Sequence, residues 1–147
     1  MLKGIDPVLG PDLLAILRAM GHADEIVIAD ANFPAAANAR RLVRADGITA
    51  TRLARAITSI MPIDDFERTA AFRMAVTGSS EIPPIIFEFN TILKAAGYKG
   101  DIQPIERFAF YERATKAYAI VASGEDRLWA NLILKKGVVP PGQRWDA

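Results

Sequence analysis

Short apolar runs of strand length alternate with segments of helical periodicity along this chain. The run Glu25 to Ala29 is unbroken and rich in β-branched residues, which is typical of a strand covered on both faces. A helix is predicted before it, because Pro11 and Asp12 begin an apolar stripe of helical spacing that ends near Gly21. A strand covered on both faces needs helices in two layers, so the fold class follows from this pattern.

The same order of elements recurs farther along the chain. Thr49 or Thr51 can cap a helix whose apolar face extends to Met61, and Pro83-Pro84 open another helix that Gly97 closes. These patterns predict a three-layer α/β/α, Rossmann-like single domain over residues 1–147 with a largely parallel sheet, whose strand order they leave open. The other predicted elements are strands at Leu42-Val43, Phe72 to Val76, Tyr118 to Ala122 and Leu132 to Leu134, and a short helix from Phe110 to Lys116.

Composition and charge exclude several classes of function. The chain has no cysteine and a single histidine, which excludes disulfides, thiolate zinc sites and histidine-rich metal centres. It carries 18 basic and 17 acidic side chains, and the pairs Arg40-Arg41 and Lys135-Lys136 are short and far apart, so we expect solvated faces rather than a nucleic-acid surface. No nucleotide-binding glycine motif, membrane span or signal-peptide core is found. We therefore expect a cytoplasmic protein without nucleic-acid or membrane partners.

Two polar residues flank the best-defined strand. His22 lies in the turn before it, and Asp30 lies at its exit, where α/β sheets usually bind ligands. Because a strand rises roughly 3.3 Å per residue, the two side chains are expected at opposite ends of the sheet within one subunit. Either the His22 turn folds back along the sheet, or the site is shared between two subunits.

Each candidate residue also has an ordinary structural explanation. A lone histidine after a glycine is typical of a helix end or a loop, and Asp30 can cap the turn that follows it. Arg107 fits a surface ion pair, Trp129 fits the core, and the adjacent acids Asp64-Asp65 indicate a turn. Trp129 close to Asn131 is more suggestive, because a flat apolar face and an amide together suit a sugar ring.

Four segments of the chain occur together in a distinctive order and spacing: Gly21 to Pro34, Arg44 to Gly47, Arg107 to Ala114 and Asn131 to Val138. Together they resemble the fucose mutarotase and ribose pyranase family, in particular its fucose branch. The resemblance covers nearly the whole chain. The block from Arg107 to Ala114 is the most discriminating, since the ribose branch is expected to carry different chemistry there.

The resemblance implies an isomerase that interconverts the anomers of free L-fucose without a cofactor or a metal. It implies His22 as the proton donor, and Asp30, Arg107 and the segment Trp129-Ala130-Asn131 as contacts of the monosaccharide. It also implies a ring-shaped homodecamer with sites between neighbouring subunits. Where the family often shows a tyrosine and a glycine, this chain has Trp129 and Ala130, so a phenolic hydroxyl has no role at position 129 but stacking survives.

The chemistry of anomer exchange agrees with this interpretation. Ring opening removes a proton from the anomeric hydroxyl and delivers one to the ring oxygen, and reclosure reverses both transfers, which an imidazole can mediate near neutral pH. Three alternatives stay open at this point. They are a D-ribose pyranase, a sugar-binding accessory of an uptake system with no use for a proton donor, and a structural subunit whose histidine only caps a helix.

Overall fold

The computed structural model describes residues 1–143, so the end of the domain expected over 1–147 lies outside the described residues. Within that range the chain forms six strands and five helices. In chain order they are α1 (Pro11–Ala19), β1 (Glu25–Ala29), α2 (Ala35–Asn38), β2 (Leu42–Ala45), α3 (Ala50–Thr58), β3 (Ala71–Met74), α4 (Pro84–Ala95), β4 (Ile102–Ile105), α5 (Arg107–Lys116), β5 (Ala119–Ser123) and β6 (Leu132–Lys135).

The six strands form one sheet in the order β2-β5-β1-β6-β3-β4. Strands β2, β5 and β1 run parallel to one another, and so do β3 and β4. Strand β6 lies between β1 and β3 and is antiparallel to both. Since β1 and β3 therefore point the same way, five strands are parallel and the prediction of a largely parallel sheet is confirmed, with β6 as the exception.

Helices cover both faces of the sheet, as the unbroken apolar run of β1 predicts. Ile26 and Ile28 point to the side covered by α1, α3 and α4, whereas Val27 and Ala29 point to the side covered by α2 and α5. All four side chains are fully buried, because successive residues of a strand face opposite sides. The three-layer α/β/α arrangement is confirmed.

The ends of the helices follow local hydrogen bonds. Thr49 is the cap of α3, because its hydroxyl accepts a hydrogen bond from the backbone N–H of Arg52 at 3.3 Å. The helix ends at Thr58 rather than at Met61, since the next residues continue only as turns onto the carbonyl of Ile57. Gly97 closes α4 with a φ of +93°, a left-handed conformation that glycine adopts without strain.

Two elements escape the sequence pattern. Strand β4 contains Pro104, which lacks the N–H that a central strand needs, and it lies at the edge of the sheet, where proline is tolerated. Helix α2 is only four residues long, too short to show a period. Neither element has a hydrophobic repeat of its own.

The expectation of a solvated face for Lys135-Lys136 is wrong. Lys135 is buried and its Nζ lies 2.6 Å from Oε2 of Glu67, while Nζ of Lys136 donates to the backbone carbonyls of Leu17 and Met20 at the end of α1. A cation there satisfies helix carbonyls that lack an intrahelical partner. No helix in residues 1–143 has the length and apolar character needed to cross a membrane.

Candidate functional site

Asp30 and Asn131 form a pair at the carboxyl end of β1. Asn131 immediately precedes β6, and its Oδ1 accepts a hydrogen bond from the backbone N–H of Asp30 at 2.8 Å. Its Nδ2 donates back to Oδ2 of Asp30 at 2.9 Å. Both residues are buried. The antiparallel neighbour β6 thus brings together two residues that are far apart in sequence.

Asp30 also caps the turn that follows β1, as one interpretation of the sequence predicts. Its Oδ1 accepts a hydrogen bond from the backbone N–H of Asn32 at 2.9 Å. Burial raises the pKa of the Asp30 carboxyl above its ordinary value, although hydrogen bonds from Asn32 and Asn131 act in the opposite direction. The backbone N–H groups of Phe33 and Ala130 also stabilise the ionised form, so the carboxylate is held in place by several donors while it lines the cleft.

A cleft of about 150 Å³ opens beside Asp30. Aromatic and apolar side chains form much of its wall, and Arg107 contributes a cation. The lining residues are Asp30, Asn32, Phe33, Met74, Arg107, Tyr111, Leu128, Trp129 and Asn131. The structure therefore brings together four of the six residues that the sequence analysis selected.

Arg107 begins helix α5, which the side chain of Glu106 caps by accepting from the N–H groups of Phe108 and Ala109 at 2.9 and 3.0 Å. The Arg107 guanidinium lies over the ring of Phe108, 4.6 Å from its centroid. Its Nε is buried and has no hydrogen-bond partner among residues 1–143, and no salt bridge forms there. The surface ion pair is therefore the wrong interpretation, and the Arg107 side chain lines the cleft instead.

Trp129 and Ala130 play different parts in the loop before β6. Trp129 is half-buried, lines the cleft and has a φ of +63°, which is unusual for a residue with a side chain. The methyl group of Ala130 is fully buried in the core beneath α1, α3 and α4. Ala130 reaches the site through its backbone, which helps to stabilise the ionised carboxylate of Asp30.

His22 lies away from this cleft, at the other end of β1. The five residues of β1 separate it from Asp30, and the backbone N–H of Ala23 bonds to the carbonyl of Lys136 beyond the far end of β6. The turn therefore does not fold back along the sheet. Within one chain, the structure does not bring His22 together with the other candidate residues.

The partner of His22 is Asp64, for which the sequence predicts only a turn. The imidazole Nε2 lies 2.9 Å from Oδ1 of Asp64, and the ring of Phe66 lies 4.9 Å from the imidazole centroid. The turn itself is confirmed, because the same Oδ1 accepts from the N–H of Phe66 at 3.3 Å. Sequence spacing gives no signal for the pair, since a bridge between Ile63 and Lys136 creates it.

The electrostatics of Asp64 differ from those of Asp30. Burial alone raises the pKa of the Asp64 carboxyl, but hydrogen bonds from His22 and Phe66 lower it more, and the net pKa falls below the ordinary value. Asp64 is therefore a stable anion at neutral pH. No group of three metal-ligating side chains occurs in the described part of the chain.

Comparisons with known proteins agree with this fold. The fucose mutarotase of Danio rerio is 46% identical, with 98% of each chain covered. The crystal structure of a Streptococcus pneumoniae fucose mutarotase in complex with L-fucose has a TM-score of 0.90 and 44% identity, covering 95% of this chain and 100% of that one. The structure of Bacillus subtilis RbsD complexed with D-ribose shares the fold alone, with a TM-score of 0.71 and 23% identity over 95% of this chain and 100% of that one.

The family model described as the RbsD / FucU transport protein family matches residues 3–139. That range includes His22, Asp30, Arg107 and Asn131, and every strand of the sheet. The chain belongs to the RbsD / FucU transport protein family.

Proposed function

We propose that this protein is an L-fucose mutarotase, an isomerase that interconverts the α and β anomers of the free sugar. The observation that carries the proposal is the cleft in which a buried carboxylate, a guanidinium group without a salt bridge among residues 1–143 and an indole lie together. Nearly full-length relatives named fucose mutarotase support the choice of sugar, whereas the ribose-bound structure is only 23% identical.

The groups in the cleft suit a neutral, hydroxyl-rich ring. Asp30 accepts hydrogen bonds from sugar hydroxyls, and charge assistance makes such bonds strong. Arg107 supplies a donor, and Asn131 holds Asp30 in place through the two bonds described above. Trp129 offers a flat apolar face to the C–H side of the ring. Ala130 contributes through its backbone.

The proposed reaction assigns proton transfer to His22. His22 takes the proton that leaves the anomeric hydroxyl and donates it to the ring oxygen as the bond between C1 and that oxygen breaks, which returns the imidazole to its starting state. Rotation about C1–C2 presents the other face, and reclosure reverses both transfers. No proton is consumed, and Asp30 and Arg107 orient the sugar without forming a covalent bond to it.

Since His22 and Asp30 lie at opposite ends of the sheet, the proposed site is completed by a neighbouring subunit of a ring-shaped homodecamer. Exposed apolar side chains at both ends support such an interface. Phe66 beside His22 is 69% exposed, and Phe108 and Leu128 near the cleft are 64% and 65% exposed. The proposal also includes a single sugar mutarotase domain, as the resemblance implies, and the cytoplasmic location that the sequence analysis predicts.

The reaction is tested by saturation-transfer NMR on equilibrated L-fucose. We expect exchange between the α and β signals to accelerate with protein and to fall to the buffer rate with His22→Ala. Exchange no faster than buffer with the unmodified protein would refute the proposal. The same measurement on D-ribose separates mutarotation of L-fucose from pyranose–furanose exchange of ribose.

The shared site has its own test, in which His22→Ala and Asp30→Ala chains are co-expressed and assembled together. Each variant alone is expected to be inactive. If the site lies between subunits, an active interface needs His22 from an Asp30→Ala chain and Asp30 from a neighbouring His22→Ala chain. Random mixing in equal amounts places these two chains in the required order at about a quarter of the interfaces. Absence of any restored activity in mixed rings would place both residues in the same chain's site. Light scattering gives the assembly size.

A further inference from the structure

We infer that Asp64 is a positioning residue for the proposed reaction, holding the His22 imidazole with its proton on Nε2 and leaving Nδ1 to exchange protons with the sugar. The inference rests on the proposed function, in which His22 is the proton donor. It concerns a residue outside the cleft, at the far end of the sheet.

In the pair of His22 and Asp64, the carboxylate is buried and the imidazole ring is partly exposed. The Asp64 side chain is 1% exposed, whereas the His22 side chain is 44% exposed. Their atoms Oδ1 and Nε2 lie 2.9 Å apart. One edge of the imidazole is therefore bound by the protein, while Nδ1 makes no hydrogen bond within residues 1–143.

Asp64 is fixed by the sheet rather than by a free loop. Its backbone N–H donates to the carbonyl of Lys135 at 3.0 Å, which ties it to the end of β6. Gly137 packs so closely that an added Cβ would lie 2.9 Å from the Cα and N of Asp64. A carboxylate supported in this way can hold another side chain in a defined orientation.

The chemistry of the two groups then fixes the tautomer. A neutral imidazole has one donor and one acceptor nitrogen, while an ionised carboxylate can only accept. The hydrogen bond to Asp64 thus keeps the proton on Nε2 and the lone pair on Nδ1. When the ring becomes protonated during the reaction, the same carboxylate stabilises the imidazolium through a charge-assisted bond.

A simple surface ion pair does not account for this arrangement. Exposed pairs contribute little to stability, and a buried carboxylate costs free energy unless it is compensated. The neighbouring Asp65 is exposed and forms no hydrogen bond or salt bridge within residues 1–143. The solvated position of this pair of acids is therefore Asp65, and it does not contact His22. The buried acid is instead the one that contacts the only histidine.

The single histidine makes the tautomer directly measurable. In protein labelled with ¹⁵N in the imidazole, long-range ¹H–¹⁵N spectra report His22 alone. At a pH where the ring is neutral, we expect the signals of the Nε2–H form in the unmodified protein. Predominance of the Nδ1–H form there would overturn the inference without any variant, and it would do so whether or not His22 proves catalytic.

The consequence for activity is tested with Asp64→Asn and the matched control Asp65→Asn. We expect Asp64→Asn to mix the tautomers and to lower kcat about 10- to 100-fold with little change in KM, which is part of the roughly 10²–10⁴-fold that a positioned acid–base group contributes. Asp65→Asn should change neither the tautomer of His22 nor kcat. If Asp64→Asn retains both the tautomer and the kcat of Asp65→Asn, the inference is wrong. If His22→Ala keeps full activity, the proposed function fails separately.

Discussion

Asp30 and Asn131 hold each other through two reciprocal hydrogen bonds that leave only one orientation for the amide. The backbone N–H of Asp30 meets Oδ1 of Asn131 at 2.8 Å, which turns Nδ2 toward Oδ2 of Asp30 at 2.9 Å. The amide therefore sets the position of the carboxylate that faces the cleft.

Asn131→Ala should both destabilise the fold and weaken sugar binding. It leaves a buried N–H without its acceptor, which costs about 1–3 kcal/mol in the free energy of unfolding, and it frees the Asp30 carboxylate to move. Urea unfolding and the KM for L-fucose measure the two effects. Asn38→Ala is the matched control, because the half-buried Asn38 side chain only donates one exposed hydrogen bond to the carbonyl of Pro34. Equal effects of the two substitutions would contradict the prediction.

The carboxylates at the two ends of β1 should affect stability in opposite directions as pH changes. The pKa of Asp30 is raised in the folded state, so its contribution is fully present below the ordinary value of 3.8 and is lost as pH rises through the folded pKa. The pKa of Asp64 is lowered, so its contribution is present above 3.8 and is lost as pH falls through the folded pKa.

Urea unfolding of the unmodified protein, Asp30→Asn and Asp64→Asn at several pH values measures this contrast. Relative to Asp30→Asn, the unmodified protein should lose stability as pH rises from below 3.8 toward neutral. Relative to Asp64→Asn, it should lose stability as pH falls below 3.8. The slope of each stability difference against pH does not contain the constant effect of the substitution itself. Two slopes of the same sign would therefore show that the direction given for one of the two pKa shifts is wrong.

Much of the fold could be predicted because strand β1 and helices α1, α3 and α4 carry their own periodicity. Ile26 to Ala29 are apolar because both faces are covered, and that pattern is local. The position of β6 between β1 and β3 could not be predicted. It depends on long-range pairing, such as that of Ile28 with Leu132, for which no local pattern exists.

The candidate site divides in the same way. Asp30 was predictable from its position at the exit of a strand, Asn131 was suggested by its place beside Trp129, and only Arg107 depended on the family resemblance. Asp64 was not predictable, because it meets His22 only after the loop carrying Ile63 bridges to the end of β6. A carboxylate in a turn and a carboxylate paired with histidine have the same local sequence.

Trp129 permits a test that separates backbone strain from side-chain contact. Its φ of +63° is costly for any residue with a Cβ and free for glycine. Trp129→Ala and Trp129→Gly both remove the indole, so both should raise the KM for L-fucose about tenfold, in keeping with the loss of an aromatic contact. Trp129→Gly should nevertheless be more stable than Trp129→Ala by about 1 kcal/mol.

Thermal or urea unfolding of these two variants gives the stability difference, and Trp129→Tyr is the control that keeps a flat ring. In a Trp145→Phe background Trp129 is the sole tryptophan, so a fluorescence change on addition of L-fucose reports the cleft. Greater stability of the alanine variant would show that the left-handed backbone is not the source of strain. An unchanged fluorescence at saturating L-fucose would remove Trp129 from the site.

The loop that carries Trp129 is anchored by an ion-pair network with one buried and one exposed acid. Glu125 is 2% exposed and accepts from the backbone N–H, Nε and Nη2 of Arg127 at 3.2, 2.9 and 3.2 Å. Nη1 of Arg127 contacts the exposed Glu88 at 3.0 Å. The Arg127 guanidinium holds the pKa of the Glu125 carboxyl below its usual range. The N–H of Ala31 bonds to the carbonyl of Glu125 at 2.8 Å, which links the network to the segment after Asp30.

Arg127→Met should therefore cost far more than Glu88→Gln. It leaves the buried Glu125 carboxylate without its counter-charge, and because Arg127 is itself partly exposed we expect about 1–3 kcal/mol of lost stability rather than the full cost of breaking a buried pair. Glu88→Gln removes only a surface pair and should cost less than about 1 kcal/mol. Urea unfolding measures both. Arg127→Met should also raise the KM for L-fucose, since Trp129 lies two residues along the same loop. An equal loss of stability in Arg127→Met and Glu88→Gln would show that Glu125 does not depend on Arg127.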